Sequence, residues 1–215
     1  RRMANMAQEN LDHAIHGFLN QSDEFVDKIY HREEDINNVS HAITDYLVKS
    51  NQLSLPLADQ KILGSMYYVV NDIERIGDHA ENFADFTKTE IKHNTGLTGD
   101  AKEEIKKMYT AVSKLLKLSL ECFMEQDGVN KPEEKLAEIA FLEASIDKME
   151  RRYQKHHIKR LAKGECEPRA GLLFSDMLSE LERIADHSVN IAYSMSDEDE
   201  DEILAAESEA LTAKN

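Results

Sequence analysis

The sequence predicts an all-α fold of two tandem three-helix bundles, six helices related by internal duplication. Three observations predict it. Charged residues make up 32% of the 215 positions, Trp is absent, and there are only 3 Pro and 8 Gly, a mix that suits long helices on short loops better than sheets. Apolar residues recur at steps of three and four along most of the chain, the period of a helix with one buried face. Finally, Glu74-Arg75-Ile76-Gly77-Asp78-His79-Ala80-Glu81-Asn82 is echoed by Glu182-Arg183-Ile184-Ala185-Asp186-His187-Ser188-Val189-Asn190, 108 residues further on. A repeat with such specific polar content signals a duplicated unit.

Taken in order, residues 2–19 read as an amphipathic helix with Met3, Met6, Asn10, Ala14 and Phe18 on one side. Asn20-Gln21-Ser22-Asp23 signals a turn. A second helix carries Phe25, Ile29, Ile36, Val39, Ile43, Tyr46 and Leu47 at helical spacing and ends near Ser50-Asn51. Pro56 marks the first turn of a third helix, whose seam is Ile62, Met66, Val69, Ile73, Ile76, Ala80 and Phe83. Glu74, Asp78, Glu81 and Asp85 follow the same rhythm one residue later, about 100° round the helix, so an acidic stripe lies beside the apolar seam. Thr95-Gly96-Leu97-Thr98-Gly99 closes the unit. The second unit repeats the plan. A helix over 105–123 stops at Asp127-Gly128. Asn130-Lys131-Pro132-Glu133 resembles a capping box, and the helix it opens runs to Gly164, a C-terminal cap. The last helix has the seam Leu173, Met177, Leu181, Ile184, Ser188 and Ile191. The expected units are 1–95 and 99–196, followed by an acidic tail, 197–215, which opens with six consecutive acids and reads as solvated.

A second pair of motifs sits on the middle helices. Glu33 and Asn37 correspond to Glu143 and Asp147, at an offset of 110 residues. Each bundle therefore has two i, i+4 pairs: Glu33/Asn37 with Glu74/Asp78, and Glu143/Asp147 with Glu182/Asp186. Stacked carboxylates of this kind repel by about 0.2–0.5 kcal/mol in an isolated helix. Building the liability twice calls for a compensating cation, either a bound metal or Arg and Lys from neighbouring helices. If adjacent helices bring the pairs together, each bundle gains an oxygen-rich patch suited to hard or borderline cations. Arg151 lies at i+4 from Asp147, and Arg75 and Arg183 could pair with carboxylates across helices. His79 and His187 follow the motif Asp by one residue and point about 100° away from it. Together with Asn82 and Asn190 they read as interhelical hydrogen-bonding or packing groups rather than ligands.

Several function classes are disfavoured. A net charge of −16 leaves no basic stripe for nucleic acid. No apolar run approaches the ~18 residues of a membrane span. Two cysteines, Cys122 and Cys166, are too few for a disulfide framework and point to a reducing cytosol. A ferritin-like di-iron enzyme needs Glu-x-x-His on two helices, and only Glu90-Ile91-Lys92-His93 fits, once. No nucleophilic triad and no Gly-rich phosphate loop is present, so the chain reads as a non-enzyme. The start Arg1-Arg2-Met3 suggests a fragment of something longer.

The duplicated acidic motifs, together with His157-Ile158-x-Arg160-Leu161-x-x-Gly164-x-Cys166, Phe174-x-Asp176 and Leu181-Glu182-Arg183-Ile184-Ala185-Asp186-His187, resemble the PhoU family over nearly the whole chain. The likeness looks closest to the PhoU-like domain at the C-terminus of bacterial sodium/phosphate cotransporters. Leu55-Pro56-Leu57-Ala58-Asp59-Gln60-Lys61 only partly matches the start of the third helix in stand-alone members. The resemblance implies a metal-binding regulatory domain on the cytoplasmic side of the bacterial plasma membrane, soluble itself but tethered. It would control phosphate uptake by a sodium-dependent symporter, with the membrane transporter portion of the same polypeptide as partner and a homodimer left open. The alternative it implies is a stand-alone adaptor regulating a phosphate ABC transporter and its sensor kinase. It also implies divalent or trivalent metal (iron, zinc or manganese) at Glu33, Asn37, Glu74, Asp78, Glu143, Asp147, Glu182 and Asp186, with inorganic phosphate as a candidate bridging ligand. Asn37 departs from the acidic pattern and removes one charge from the first site.

Overall fold

Six helices form in the predicted order in the computed structural model, which describes residues 1–94, 96–125 and 133–195: α1 (Arg2–Asn20), α2 (Val26–Asn51), α3 (Leu57–His93), α4 (Gly99–Glu125), α5 (Glu133–Ala162) and α6 (Pro168–Tyr193). Among the described residues there is no strand, and no helix is long and apolar enough to cross a membrane. The capping-box residues 130–132, the stop at 127–128 and the acidic tail 197–215 lie outside the described residues.

Local signals place the helix ends. At the end of α1, Gln21 adopts φ 52°, and the Gln21 and Ser22 N–H groups donate to the carbonyls of Phe18 and Gly17, satisfying acceptors the helix leaves open. Gly17 is required there because a Cβ would stand 2.9 Å from the Ser22 carbonyl. Past α5, Gly164 takes φ +69° while Gly164 and Glu165 donate back to Leu161 and Arg160, the cap expected of that glycine. The helix expected over 105–123 is longer at both ends, because Thr98 Oγ1 accepts from the Ala101 N–H and opens α4 a turn and a half early.

α1, α2 and α3 pack together as one bundle and α4, α5 and α6 as the other. Most of the seams meet as expected: Phe18, Ile29, Ile36, Ile76 and Phe83 are fully buried in the first bundle, and Ile105, Met108, Ile139, Ile146, Phe174 and Ile184 in the second. Tyr46 and Met66, expected in the first bundle's seams, are instead 70% and 41% exposed, because they lie towards the tip of the α2–α3 hairpin, where the seam does not reach. The bundles join through α3 against α6, with a smaller contact between α1 and α4.

Two reciprocal polar pairs cross the α3–α6 seam. His79 Nδ1 lies 2.6 Å from Glu180 Oε2, and His187 Nδ1 lies 2.9 Å from Asp72 Oδ1. Asp72 and Glu180 are 108 residues apart, the same offset that relates His79 to His187, so the two pairs are related by the duplication itself. Residue 79 meets 180 while 72 meets 187, which makes α3 and α6 antiparallel about a pseudo-twofold. The imidazoles lie between the carboxylates, 5.4 Å apart centroid to centroid. Asn82 Nδ2 also donates to Glu180 Oε2, and Arg183 stands 3.6 Å from Glu180 Oε1. Burial alone would push the Glu180 carboxyl up, but the His79 and Asn82 hydrogen bonds and the nearby His79 and Arg183 charges hold it below its ordinary value.

The clasp generates a stability prediction. His79→Ala should cost about 1–3 kcal/mol in urea unfolding, because it strips a partner from a largely desolvated carboxylate. The double variant with Glu180→Ala should cost less than the two single losses added together. Strict additivity would show that the pair does not couple the bundles.

Candidate functional site

The outer face of each helix pair α2–α3 and α5–α6 carries the acidic motifs. In the first bundle Glu33 is only 5% exposed, whereas Asn37, Glu74, Asp78 and Glu81 are half-buried and Asp85 is exposed. Asn37 Nδ2 donates to Glu33 Oε2 at 2.8 Å, but Glu33 Oε1 and Asn37 Oδ1 are buried with no hydrogen-bond partner. What faces Glu33 from α3 is acid. Burial, followed by the charges of Asp78 and Glu81, a hydrogen bond with the Asp78 carboxyl and the charge of Glu74, pushes its carboxyl up to about 7. Two carboxyls can share a hydrogen bond only by keeping a proton between them. Glu81 is also raised, by burial and then by Asp85, Asp78 and Glu34.

The second bundle reproduces the patch with a different membership. Glu182 is half-buried and pushed up to about 7 by burial, then by Asp186, Glu150 and Asp147, with Arg183 opposing. The α5 carboxylates that raise it are therefore Glu150 and Asp147. Glu143 is half-buried and Asp186 exposed. Glu150 and Glu81 join the clusters although sequence reasoning did not select them as site residues. The signal was available, since each lies three residues after a motif Asp and seven after a motif Glu, on the same helix face.

The cations are positioned differently from expectation. Arg151 reaches Asp147 at 3.4 Å, as its spacing predicts. Arg75 and Arg183 pair along their own helices, with Asp78 at 3.8 Å and Glu180 at 3.6 Å, rather than across helices. Both arginines are largely exposed, where such pairs are worth about 0–1 kcal/mol, so they relieve the buried end of neither cluster. His79 and His187 serve the bundle interface, with Asn82 beside them, and Asn190 is exposed. Glu90 turns into the core, where it accepts from Gln21 Nε2, while His93 is exposed. Both cysteines are free thiols.

As the side chains stand, no group of three or more His, Cys, Asp or Glu among the described residues is close enough to hold a metal ion. The donor chemistry nevertheless suits a hard or borderline cation: each patch presents carboxylate oxygens from two helices, and Glu33 Oε1 and Asn37 Oδ1 lack any donor. Holding an ion there requires the carboxylates to draw together, which their mutual repulsion opposes until the ion arrives.

The comparisons with known proteins cover both halves. The family described as PhoU domain matches residues 1–87 and 105–195. The chain is 22% identical over 200 residues to the phosphate-specific transport system accessory protein PhoU homolog 1 of Thermotoga maritima, covering 88% of this chain and 79% of that protein. It is 28% identical over 171 residues to the PhoU homolog of the same description from Synechocystis, covering 79% and 72%. Among solved structures it resembles PhoU from Pseudomonas aeruginosa (TM-score 0.80, 21% identity, 90% of each chain) and the phosphate transport system regulatory protein PhoU from Streptococcus pneumoniae (TM-score 0.77, 21% identity, 90% and 87%). These relatives correct one expectation. A transporter portion of the same polypeptide was expected as the partner, but the proteins matched over most of their length are accessory proteins of a transport system, not fusions to one. The partial match at Leu55–Lys61, seven residues at the start of α3, was too short to support the transporter-attached reading.

A pH dependence follows from the raised carboxyls. In the fold Glu33 and Glu182 keep their protons up to about pH 7, whereas an unfolded Glu loses its own near 4.5. Between those values the native state binds more protons, so stability falls as pH rises and that contribution is gone above 7. Metal-free protein should therefore resist urea better at pH 5.5 than at pH 8. Glu33→Gln should shrink that difference by about 1–2 kcal/mol, allowing for water at the open side of the patch. An unchanged difference in the variant would disprove the assignment.

Proposed function

The chain belongs to the PhoU domain family, and from that premise we propose that it is a non-enzymatic regulatory accessory protein of phosphate transport in the cytoplasm. The observation that carries the reading is a family match spanning both repeats, taken as 1–95 and 99–196, and not one bundle alone. Its targets are a phosphate ABC transporter and the sensor kinase that reports on it. This reading is preferred to a domain of a sodium-dependent symporter because the curated relatives are accessory proteins of phosphate-specific transport systems.

The acidic patches supply the switch. Iron, zinc or manganese would be held by Glu33, Asn37, Glu74 and Asp78 in one bundle and by Glu143, Asp147, Glu182 and Asp186 in the other, with Glu81 and Glu150 adding charge, and inorganic phosphate is a candidate bridging ligand. Such an ion supplies concentrated positive charge and no redox or hydrolytic step is invoked. With such an ion bound, Glu33 and Glu182 would give up their protons, the carboxylates of α2 and α3 and of α5 and α6 would no longer repel one another, and the faces offered to a partner would stiffen. The support is the lack of a donor at Glu33 Oε1 and the weak, exposed placement of Arg75 and Arg183.

Elemental analysis of protein purified without chelator should find transition metal, and Glu33→Gln/Asp78→Asn should lower it. Added metal at 100 times its Kd should stabilise the wild type by about 2.7 kcal/mol and the variant by far less. Cells lacking the protein should lose control of phosphate uptake and regain it on complementation. If metal is absent and melting ignores added iron, zinc and manganese, the clusters are ion-pair surfaces; if uptake control survives deletion, the regulatory reading is wrong.

A further inference from the structure

The duplicated halves match at their acidic motifs and differ at the tip of the α2–α3 hairpin. There Leu47, Val48, Leu63, Gly64, Tyr67 and Tyr68 line an open groove of about 210 Å³. Tyr67 and Tyr68 are 47% and 67% exposed, and a Cβ on Gly64 would touch nothing within 4 Å. By the offsets of the two motif pairs, the corresponding groove of the second bundle is shut. His157 replaces Leu47 and packs so tightly on Gly171, the counterpart of Leu63, that a Cβ there would lie 2.3 Å from its ring. Ser175 replaces Tyr67 and is hydrogen-bonded across to Gln154 at 2.9 Å. Phe174 is wholly buried where its counterpart Met66 is 41% exposed. One repeat spends this corner on its own packing. The other leaves an aromatic-lined groove in water, the mark of a surface that meets another protein.

The groove does not end in neutral surface. Two turns beyond Tyr67, about 10 Å along α3, stands Glu74, and behind it the cluster of Asp78, Glu81 and the buried Glu33, whose Oε1 has no donor. The α2–α3 face is therefore apolar and aromatic at one end and anionic, with an unfilled acceptor, at the other.

We propose that the α2–α3 face is a docking site for an amphipathic helix of a partner protein, with aliphatic or aromatic residues over Tyr67 and Gly64 and an Arg or Lys about two turns further on that meets Glu74 and the Glu33 cluster. Helix-in-groove recognition uses this combination of apolar anchors and a charge that sets direction. The proposal deepens the regulatory reading by naming a surface and the chemistry it accepts, and it rests on that reading only for what the partner does.

The test uses the full chain, stripped of metal, and a fluorescein-labelled synthetic helix of about 18 residues with Leu at i, i+3, i+4 and i+7 in its first half and Arg two turns on. Fluorescence anisotropy should show saturable binding. Gly64→Leu fills the groove at an exposed helix position and threatens no packing, and Tyr67→Ser removes an anchor; each should weaken binding about tenfold. Replacing the peptide's Arg by Glu should weaken it similarly, and Leu172→Ser, at the counterpart of Gly64, should leave it unchanged. Binding indifferent to Gly64→Leu, or no binding, overturns the proposal. So does self-association abolished by Gly64→Leu, which would make a second copy the occupant, or a groove released only by Ile203→Ser/Leu204→Ser, which would make it the chain's own C-terminal segment. The two readings fail separately: loss of peptide binding with uptake control intact in complemented cells removes the surface alone, and peptide binding by a protein whose deletion leaves uptake control unchanged removes the regulatory role alone.

Discussion

The antiparallel contact of α3 with α6 is the constraint on which the rest of the molecule depends. Each of these helices is the central member of its own bundle, packed against both of its neighbours, and each must also meet the other. The apolar seam Val69, Ile73, Ile76, Ala80 and Phe83 serves the first bundle, so the bundle–bundle face has to use what remains of α3's circumference. That face is polar: Asp72 and His79 on one helix, Glu180 and His187 on the other. A polar interface survives burial only if every group finds its partner, and the duplication solves this economically. One His–carboxylate pair, copied and turned about the pseudo-twofold, satisfies all four groups.

The same residue type is held in opposite protonation states by two environments in one molecule. Glu180 is half-buried among donors and stays ionised below the ordinary carboxylate range, while Glu33 is buried facing other acids and keeps its proton to about 7. The clasp is a finished structure. The patch is an unfinished one: the Glu33 carboxyl keeps a proton to coexist with Asp78, and Glu33 Oε1 has no donor. The divergence at the α2–α3 tip adds a second unfinished surface on the same helix pair. The second bundle repeats the patch but closes the tip, with His157 against Gly171 and Ser175 hydrogen-bonded to Gln154.

The sequence by itself determined the architecture. Helical periodicity is a local property, and steps of three and four with Pro56, Gly164 and the turn at Gln21 are enough to place six helices and most of their ends. The duplication was equally legible, because Glu-Arg-Ile-x-Asp-His-x-x-Asn is specific enough to be seen without any partner. From it followed the equivalence of α3 and α6, and the separation of the histidines from the acidic stripe by the 100° turn of one residue. Even the offset that makes Asp72 the twin of Glu180 was present, unrecognised.

What only the tertiary structure decided is which faces meet. Nothing local distinguishes Glu180, ionised against His79, from Glu182 two residues later, protonated against Asp186 and Glu150. The difference lies in which helix stands opposite, 101 positions away in the chain for one and on α5 for the other. For the same reason sequence spacing could not show that the register of α5 against α6 brings Glu150 and Asp147 to bear on Glu182. Arg75 and Arg183 found carboxylates on their own helices because the i+3 and i−3 positions are already in reach, whereas a cross-helix partner depends on the crossing geometry. Tyr67 and Gly64 look like ordinary helix residues in the sequence. Only packing shows that their side of the bundle is left open by the described residues, because burial is set by all the chain that comes near a residue and not by the residue itself.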